Sequence, residues 1–428
     1  MKPDLHLSTE SDRPNRPSST PSGYLFHNGS LLVAGGILFL SAWQGLATLV
    51  VSLGLILAAA LLAKSWARLS LVQVSGKRTI KETRLFPGDQ TELRLEVANR
   101  KLLPLPWVEI EDAIPARLSA QKLPPSPRRP EYGSLLRSSS LLGYRRAKWK
   151  FTLNAGKRGF YSLGPLTLVS GDPFGFYRRT VSFPQPDFII VYPKIFPLPA
   201  FSPPSFFPLG DIRSEKRIFQ DPVRPIGLRD YQPFDSLRHI HWKASGRSQR
   251  LQVKIFEPTV TLQVSLFLGV DSYRDDGGCR EEDFEWGISL AASLADHFGS
   301  RGIPTGLFAN GLLIDSGQPL QILAGGSREQ TLLILEALAK LTSKADQPLE
   351  SFLQKERRAL AQGNTLVFIL HRISHPMFWQ LQELREAGYK LAVLLSGEQD
   401  TSGFDQTVIK KWARPPGISV PFSTGRIE

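Results

Sequence analysis

Cysteine is all but absent. Cys279 is the only one among 428 residues, so the chain cannot close a disulfide on itself, and a reducing compartment is the consistent setting. It lies in Asp275-Asp276-Gly277-Gly278-Cys279-Arg280-Glu281-Glu282, where the crowd of acids disfavours the thiolate that a nucleophile needs. The signatures of common chemistries are missing too. There is no Walker A run, no Gly-x-Ser-x-Gly, no His-Glu-x-x-His and no Cys/His cluster, so no motif points to phosphate cradling, a hydrolase elbow or a zinc site. Acidic residues are in deficit: 39 Asp and Glu face 52 Lys and Arg, a formal charge of +13. That excess favours an anionic partner, whether nucleic acid, an acidic protein surface or anionic lipid. What is present is ample apolar material, 42% of residues, which excludes a disordered chain. The 35 Gly and 33 Pro imply many turns. The length favours two or three domains.

From Leu31 to Ala63 no side chain is charged, a run of 33 residues. As one helix it would reach about 50 Å at ~1.5 Å per residue, against a hydrocarbon core of about 30 Å. Trp43-Gln44-Gly45 supplies a break near its middle. The run therefore predicts a transmembrane helical hairpin over 29–66, with helices at 29–43 and 46–64. Each is short enough to imply bilayer thinning or tilt. Arg13 and Arg16 precede it, Lys64, Arg68, Lys77 and Arg78 follow, and the turn carries no cation. The positive-inside rule then puts both ends in the cytoplasm. The expected location is the inner (plasma) membrane, multi-pass, with the soluble region cytoplasmic. Residues 1–28, rich in Ser, Pro and Asn, read as a disordered cytoplasmic tail. A cleaved signal peptide fits poorly, because the apolar run is too long and lies behind that tail. The remaining alternative is one long tilted helix with an exported soluble region.

Residues 67–200 read as a β-rich, sandwich-like domain. Thr91–Val97, Val108–Glu111 and Trp149–Leu153 alternate polar and apolar residues. Pro87-Gly88-Asp89, Asn99-Arg100 and Asn154-Ala155-Gly156 separate such runs as turns. Residues 121–140 read as a Pro/Ser/Arg-rich loop and 201–259 as a connector. Over 260–428 strands alternate with helices: strands at Val260–Val270, Ile303–Phe308, Thr365–Leu370 and Leu391–Leu395, helices at Asp283–Phe298, Gln330–Leu341 and Met377–Arg385. This alternation means a mostly parallel sheet covered on both faces.

Four runs appear in order between residues 70 and 260. They are Phe86-Pro87-Gly88-Asp89 with Leu103-Pro104-Leu105-Pro106-Trp107; Lys157-Arg158-Gly159-Phe160-Tyr161-Ser162-Leu163-Gly164-Pro165; Gly171-Asp172-Pro173-Phe174-Gly175-Phe176-Tyr177; and the long run from Gly227 to Arg247. Each alone is weak; together they resemble the domain of unknown function 58 family, bacterial membrane-tethered proteins. The resemblance implies a C-terminal domain similar to the von Willebrand factor A fold. It also implies a genomic setting beside MoxR-type AAA+ ATPases and transglutaminase-like membrane proteins. It names no reaction.

The long run gathers Arg229, Asp230, Tyr231, Asp235, Arg238, His239, His241, Trp242, Lys243 and Arg247. Read structurally, Asp230 and Asp235 pair with Arg229, Arg238 or Arg247, and Trp242 supplies buried area, tying the two regions together. Read functionally, it is a recognition surface whose arginine forks take carboxylates or phosphates. His239 and His241 would share a face of a strand, but no third metal ligand is near in sequence. Asp271 ends the first strand of the α/β region, where the von Willebrand A fold starts a metal-binding Asp-x-Ser-x-Ser loop. Here Tyr273 and Asp275 replace both serines and Arg274 adds positive charge. Asp271 and Asp275 are therefore weak metal candidates, and no cofactor is expected.

Residues 121–158 hold ten cations, Lys122, Arg128, Arg129, Arg137, Arg145, Arg146, Lys148, Lys150, Lys157 and Arg158, against Glu131 alone. Beside a membrane such a stretch attracts anionic headgroups. No nucleic-acid motif accompanies it. The expected protein is a membrane-tethered, non-catalytic adaptor or scaffold. It presents a von Willebrand A-like domain to a cytoplasmic partner, with a MoxR-type AAA+ ATPase as the candidate. An enzyme acting on cell-envelope components is the alternative, and a metal-dependent adhesion domain is disfavoured by the broken loop.

Overall fold

A computed structural model of the chain describes residues 18–21, 28–118, 123–126, 132–197, 220–233, 235–258, 263–275, 278–279, 281–360, 364–397 and 409–411. They fall into two units, one within Met1–Lys194 and one within Ile195–Val420.

The backbone turns where Gln44-Gly45 breaks the apolar run. Gly45 takes φ +75°, a left-handed conformation that glycine adopts at little cost, and the Leu46 N–H donates to the Ser41 carbonyl at 3.0 Å. Two helices result, α1 (Asn28–Trp43) and α2 (Ala47–Ser70). Only α2 is long and apolar enough to cross a membrane among the described residues; α1 is shorter. α2 also runs past the expected end at 64. Its last turns bury Ala60, Ala63, Ala67 and Ser70, a face of small residues spaced three and four apart. The extra turns are stabilised by packing rather than by apolar composition.

The first unit continues with β1 (Ser18–Pro21), β2 (Val74–Ile80), β3 (Arg84–Leu85), β4 (Gln90–Asn99), β5 (Leu105–Pro115), β6 (Tyr132–Leu141), β7 (Arg146–Asn154), β8 (Gly159–Leu163), β9 (Leu166–Gly171), β10 (Tyr177–Phe183) and β11 (Asp187–Val191). They form sheets of order β1-β10-β9-β5-β6, β2-β4-β7 and β3-β11-β8. One core joins all three: Leu93, Leu95 and Val97 of β4, Val108 and Ile110 of β5, Leu168 of β9 and Ile189 of β11. Glu92, Arg94 and Glu96 take the alternate face of β4, as period-two geometry requires.

Two expectations for this unit are corrected. Ser18–Pro21, placed in a disordered tail over 1–28, pairs antiparallel with β10, Ser18 opposite Thr180; residues 1–17 and 22–27 lie outside the described residues. Tyr132–Leu141, placed in a loop, pairs with β5 along its length. In both cases a backbone ladder to a long neighbouring strand supplies what side-chain alternation does not.

The second unit opens with β12 (Gln220–Asp230), α3 (Trp242–Ser248) and β13 (Gln252–Pro258), with β12 and β13 antiparallel. The supposed connector is thus a small folded module, although 198–219 lie outside the described residues. There follow β14 (Val264–Leu268), β15 (Arg274–Asp275), β16 (Gly278–Cys279), α4 (Glu281–Ser300), β17 (Thr305–Leu313), β18 (Pro319–Gly325), α5 (Arg328–Lys340), β19 (Leu341–Ala345), α6 (Leu349–Glu356), β20 (Thr365–Leu370), α7 (His375–Glu386), β21 (Lys390–Leu395) and β22 (Ile409–Lys411). The main sheet runs β18-β17-β14-β20-β21-β22. It is parallel from β17 to β22, while β18 and β19 join β17 antiparallel. Every residue of β14 and β20 is buried, the mark of a sheet covered on both faces. Phe267 stacks between Phe308 at 4.9 Å and Phe368 at 5.0 Å, on the face that α6 and α7 close with Phe352, Met377 and Leu381.

Candidate functional site

The module formed by β12, α3 and β13 separates its residues by role. Arg229, next to last in β12, faces Asp235, and both terminal guanidinium nitrogens donate to that carboxylate, at 2.6 and 2.5 Å. The Gln232 N–H donates to Asp235 as well, at 2.8 Å. The Arg229 fork and the amide together hold the Asp235 carboxyl below its ordinary range. Ile240 is buried and bridges buried Val253. His241 caps α3, its Nδ1 accepting the Ala244 N–H at 3.1 Å. Ser245 donates to the His241 carbonyl and accepts the Gln252 N–H at 2.9 Å.

The rest of the segment faces out. Trp242, expected to be buried, is 69% exposed, and Leu237 is 67% exposed. α3 has seven residues and buries only Ser245, too little to enclose an indole. Asp230 is exposed and accepts from Gln252 Nε2, so of the two carboxylates expected to pair with arginine it is Asp235 that does so. Arg238, Lys243, Arg247 and Arg250 are exposed, and Tyr231 is half-buried. His239 sits in a short turn of 3-10 helix and His241 precedes α3, so the pair does not lie on one strand.

A cleft of about 400 Å³ opens at the carboxyl ends of β14 and β20, lined by Asp271, Ser272, Arg274, Glu350, Arg372, Ser374 and an apolar floor of Leu349, Leu370 and Met377. Open α/β sheets bind ligands at such ends, where chain connections diverge. Asp271 is engaged on both oxygens: Asn310 Nδ2 donates to one at 2.7 Å and the Leu349 N–H, at the start of α6, to the other at 3.1 Å. Buried Asn310 also accepts the Val270 N–H at 2.8 Å. Asp271 thus fastens the strand end to α6. Ser272 Oγ accepts the His371 N–H at 2.9 Å, and Ser374 Oγ donates to Glu350. Tyr273, in place of a serine ligand, is a core residue, edge-on to Phe284 at 5.7 Å with its hydroxyl against Gly287. Burial pushes its phenol well above the ordinary value. The side chain of Asp275 lies outside the described residues. Arg372 donates to the Arg274 carbonyl at 3.0 Å, and both residues line the cleft.

Beside this cleft lies a cluster that the sequence did not signal. Buried His371 points Nδ1 at Ser396 Oγ, 3.3 Å away, and Nε2 at Asp283, 3.9 Å away. The second distance is longer than a hydrogen bond, and Gly397 closes over the ring.

The basic stretch of 121–158 is less free than its composition suggests. Lys122, Arg128 and Arg129 lie outside the described residues. On β7, Arg146 and Lys148 face Glu96 at 3.5 and 3.7 Å, and Lys150 faces Glu92 at 3.5 Å. Arg137 lies over the Phe151 ring at 5.1 Å. These cations close a cross-strand ladder with the outward acids of β4.

No family model matches the chain. It is similar to YeaD of Bacillus subtilis (strain 168), described as uncharacterized: 25% identity over 246 residues, 55% of this chain and 55% of that protein. The chain thus spans about half the length of this curated relative. Among solved structures, the C-terminal domain of wzt is 12% identical over 29% of this chain and 75% of its own, with a TM-score of 0.21. A β-glucosidase from Erythrobacter marinus is 10% identical over 28% and 15%, with a TM-score of 0.17. Likenesses this slight carry no argument about fold or chemistry.

Proposed function

We propose that the protein is a membrane-tethered, non-catalytic adaptor. In this reading α1 and α2 form the transmembrane hairpin. The helices leave Leu32, Phe39, Val51, Leu55 and Leu62 exposed, which suits lipid and not water. Their serines are satisfied internally, Ser41 to the Ile37 carbonyl and Ser52 to the Thr48 carbonyl, both at 2.8 Å, as a lipid setting demands. The flanking cations favour a cytoplasmic soluble region in the inner membrane. The α/β unit reads as von Willebrand A-like: from β14 outward its order is that of a doubly wound sheet with an antiparallel edge strand. The resemblance to the domain of unknown function 58 family supports the same picture and makes a MoxR-type AAA+ ATPase the candidate partner.

The observation that carries the adaptor reading is the division within 229–254. Arg229, Asp235, Ile240, His241 and Ser245 hold the module. Trp242, Leu237, Arg238, Lys243, Arg247 and Arg250 face outward, and no acid occurs from Ser236 to Lys254. Exposed Trp and Arg are the residue types that dominate binding energy at protein interfaces. The test is capture of co-purifying proteins, the candidate ATPase among them, by the full chain in detergent. Trp242→Ala with Arg247→Ala should abolish capture of a partner that the parent retains, at unchanged stability. Equal capture by parent and variant removes this surface from the reading.

A further inference from the structure

The loop between β9 and β10 lies where α2 would leave the bilayer, and it is built to hold one aromatic ring outward. Asp172 is fully buried. Its carboxylate accepts the N–H groups of Phe174 at 2.9 Å, Phe176 at 3.3 Å and Tyr177 at 2.6 Å, which locks the turn and satisfies the charge. Phe176 packs against Ala63, Ala67 and Tyr177. Phe174 stacks on Phe176 at 5.5 Å and is 67% exposed.

The direction of this loop follows from contacts along α2. Tyr177, which begins β10, packs with Ala63 and Ala67, and Arg179, two residues on, donates to the Arg68 carbonyl. β10 therefore advances with α2 toward Ser70, and the loop before it extends the other way, toward the apolar turns. The polar boundary of α2 is at the same level, where Lys64, Trp66 and Arg68 follow Leu62. Tryptophan and cations together mark a membrane interface. From Ala47 to Leu62 the helix spans only about 24 Å at ~1.5 Å per residue, about 6 Å less than a typical hydrocarbon core.

We propose that the Asp172–Phe176 loop is a second membrane contact, with Phe174 seated at the headgroup–acyl boundary beside α2. This rests on the reading that α2 spans the bilayer. Directed toward the apolar turns of α2, the exposed Phe174 ring is set on the acyl side of the helix's polar boundary.

The test uses the full chain with Cys279→Ser, reconstituted in phosphatidylcholine–phosphatidylglycerol vesicles. An environment-sensitive fluorophore is placed in turn on Phe174→Cys, Pro173→Cys, Leu55→Cys and Leu136→Cys. Pro173→Cys leaves Phe174 in place, and Leu136 is an exposed position on β6, at the far edge of the sheet from β10. Spin-labelled lipids with shallow or deep nitroxides are the quenchers. Labels at 173 and 174 should lose several-fold more emission to the shallow nitroxide than the label at 136. The label at 55 should respond to the deep one. If 55 responds while 173 and 174 behave like 136, the loop contact is wrong and the spanning helix stands. If 55 does not respond, α2 is outside the bilayer and both readings fall.

Discussion

Arg78 grips Asp112 through two parallel hydrogen bonds, Nε to one oxygen at 2.9 Å and Nη2 to the other at 2.5 Å, with both side chains nearly or wholly buried. Nη1 reaches Asp187 at 2.8 Å. The three residues sit on β2, β5 and β11, one in each sheet of the first unit. Burial alone would lower the Arg78 pKa, but the two carboxylates outweigh it and hold it above its ordinary value. In the sequence Arg78 reads as one of the cations flanking the apolar run; in the fold its charge is met by two carboxylates.

Removing one partner of a buried pair costs about 3–5 kcal/mol. Asp112→Ala should therefore destabilise the first unit by that order, seen as lost hydrogen-exchange protection across β2, β5 and β11. Asp187, half-exposed on its side chain, should cost far less. Equal protection in Asp112→Ala and parent would refute the pair's structural role.

Lys101 closes the end of α2. Its ammonium donates to the carbonyls of Leu69 at 2.7 Å, Val72 at 2.8 Å and Ser70. Burial lowers its pKa to about 8. With a folded value below the unfolded one near 10.5, the unfolded chain holds more protons between those limits, so this residue's contribution to stability rises with pH across that window. The stability difference between parent and Lys101→Met should grow from pH 8 to pH 10. Denaturant titrations at both pH values, followed by exchange at residues 69–72, would show it; a constant difference counts against the assignment.

Within the β12–α3–β13 module, Ile240→Ala should cost about 2–5 kcal/mol, the range for emptying a buried aliphatic site. Trp242→Ala should change stability by less than about 0.5 kcal/mol. Exchange rates in β13 separate the two, and a large loss in Trp242→Ala would mean that the indole is covered in the native protein.

Asp271 should behave as a fastener and not as a metal ligand. Asp271→Ala frees the Leu349 N–H and removes one acceptor of buried Asn310, a loss of about 1–3 kcal/mol. Millimolar Mg²⁺ or Mn²⁺ should leave the melting temperature of the parent unchanged. A rise of several degrees that vanishes in Asp271→Ala would establish a cation site.

Legibility in the sequence followed the periodicity of side chains. β4 alternates and β14 and β20 are continuous apolar runs, and all three are strands. β1 and β6 lack such patterns, because their stability comes from ladders to neighbouring strands. The charged density of 229–247 located the module but not the roles within it. Trp242 looked like a core residue by size alone, whereas the fold around it has no volume to enclose it. Arg78 reads in the sequence as a flanking charge and Lys101 carries no signal at all; only tertiary contact gives each its partners. Tyr273 shows the reverse: the loss of a serine motif was visible, but not that the replacement fills the core.

β10 bears β1 along one side, and its residues Tyr177 and Arg179 meet α2. The segment entering α1 and the helix leaving the pair are therefore moored to a single strand. A piston-like displacement of α2 meets β10 directly, through Tyr177 and Arg179. It arrives as shear on the β1–β10 ladder, whose hydrogen bonds lie across the pull and share it. α2 and the β1–β10 ladder should thus move as one mechanical part.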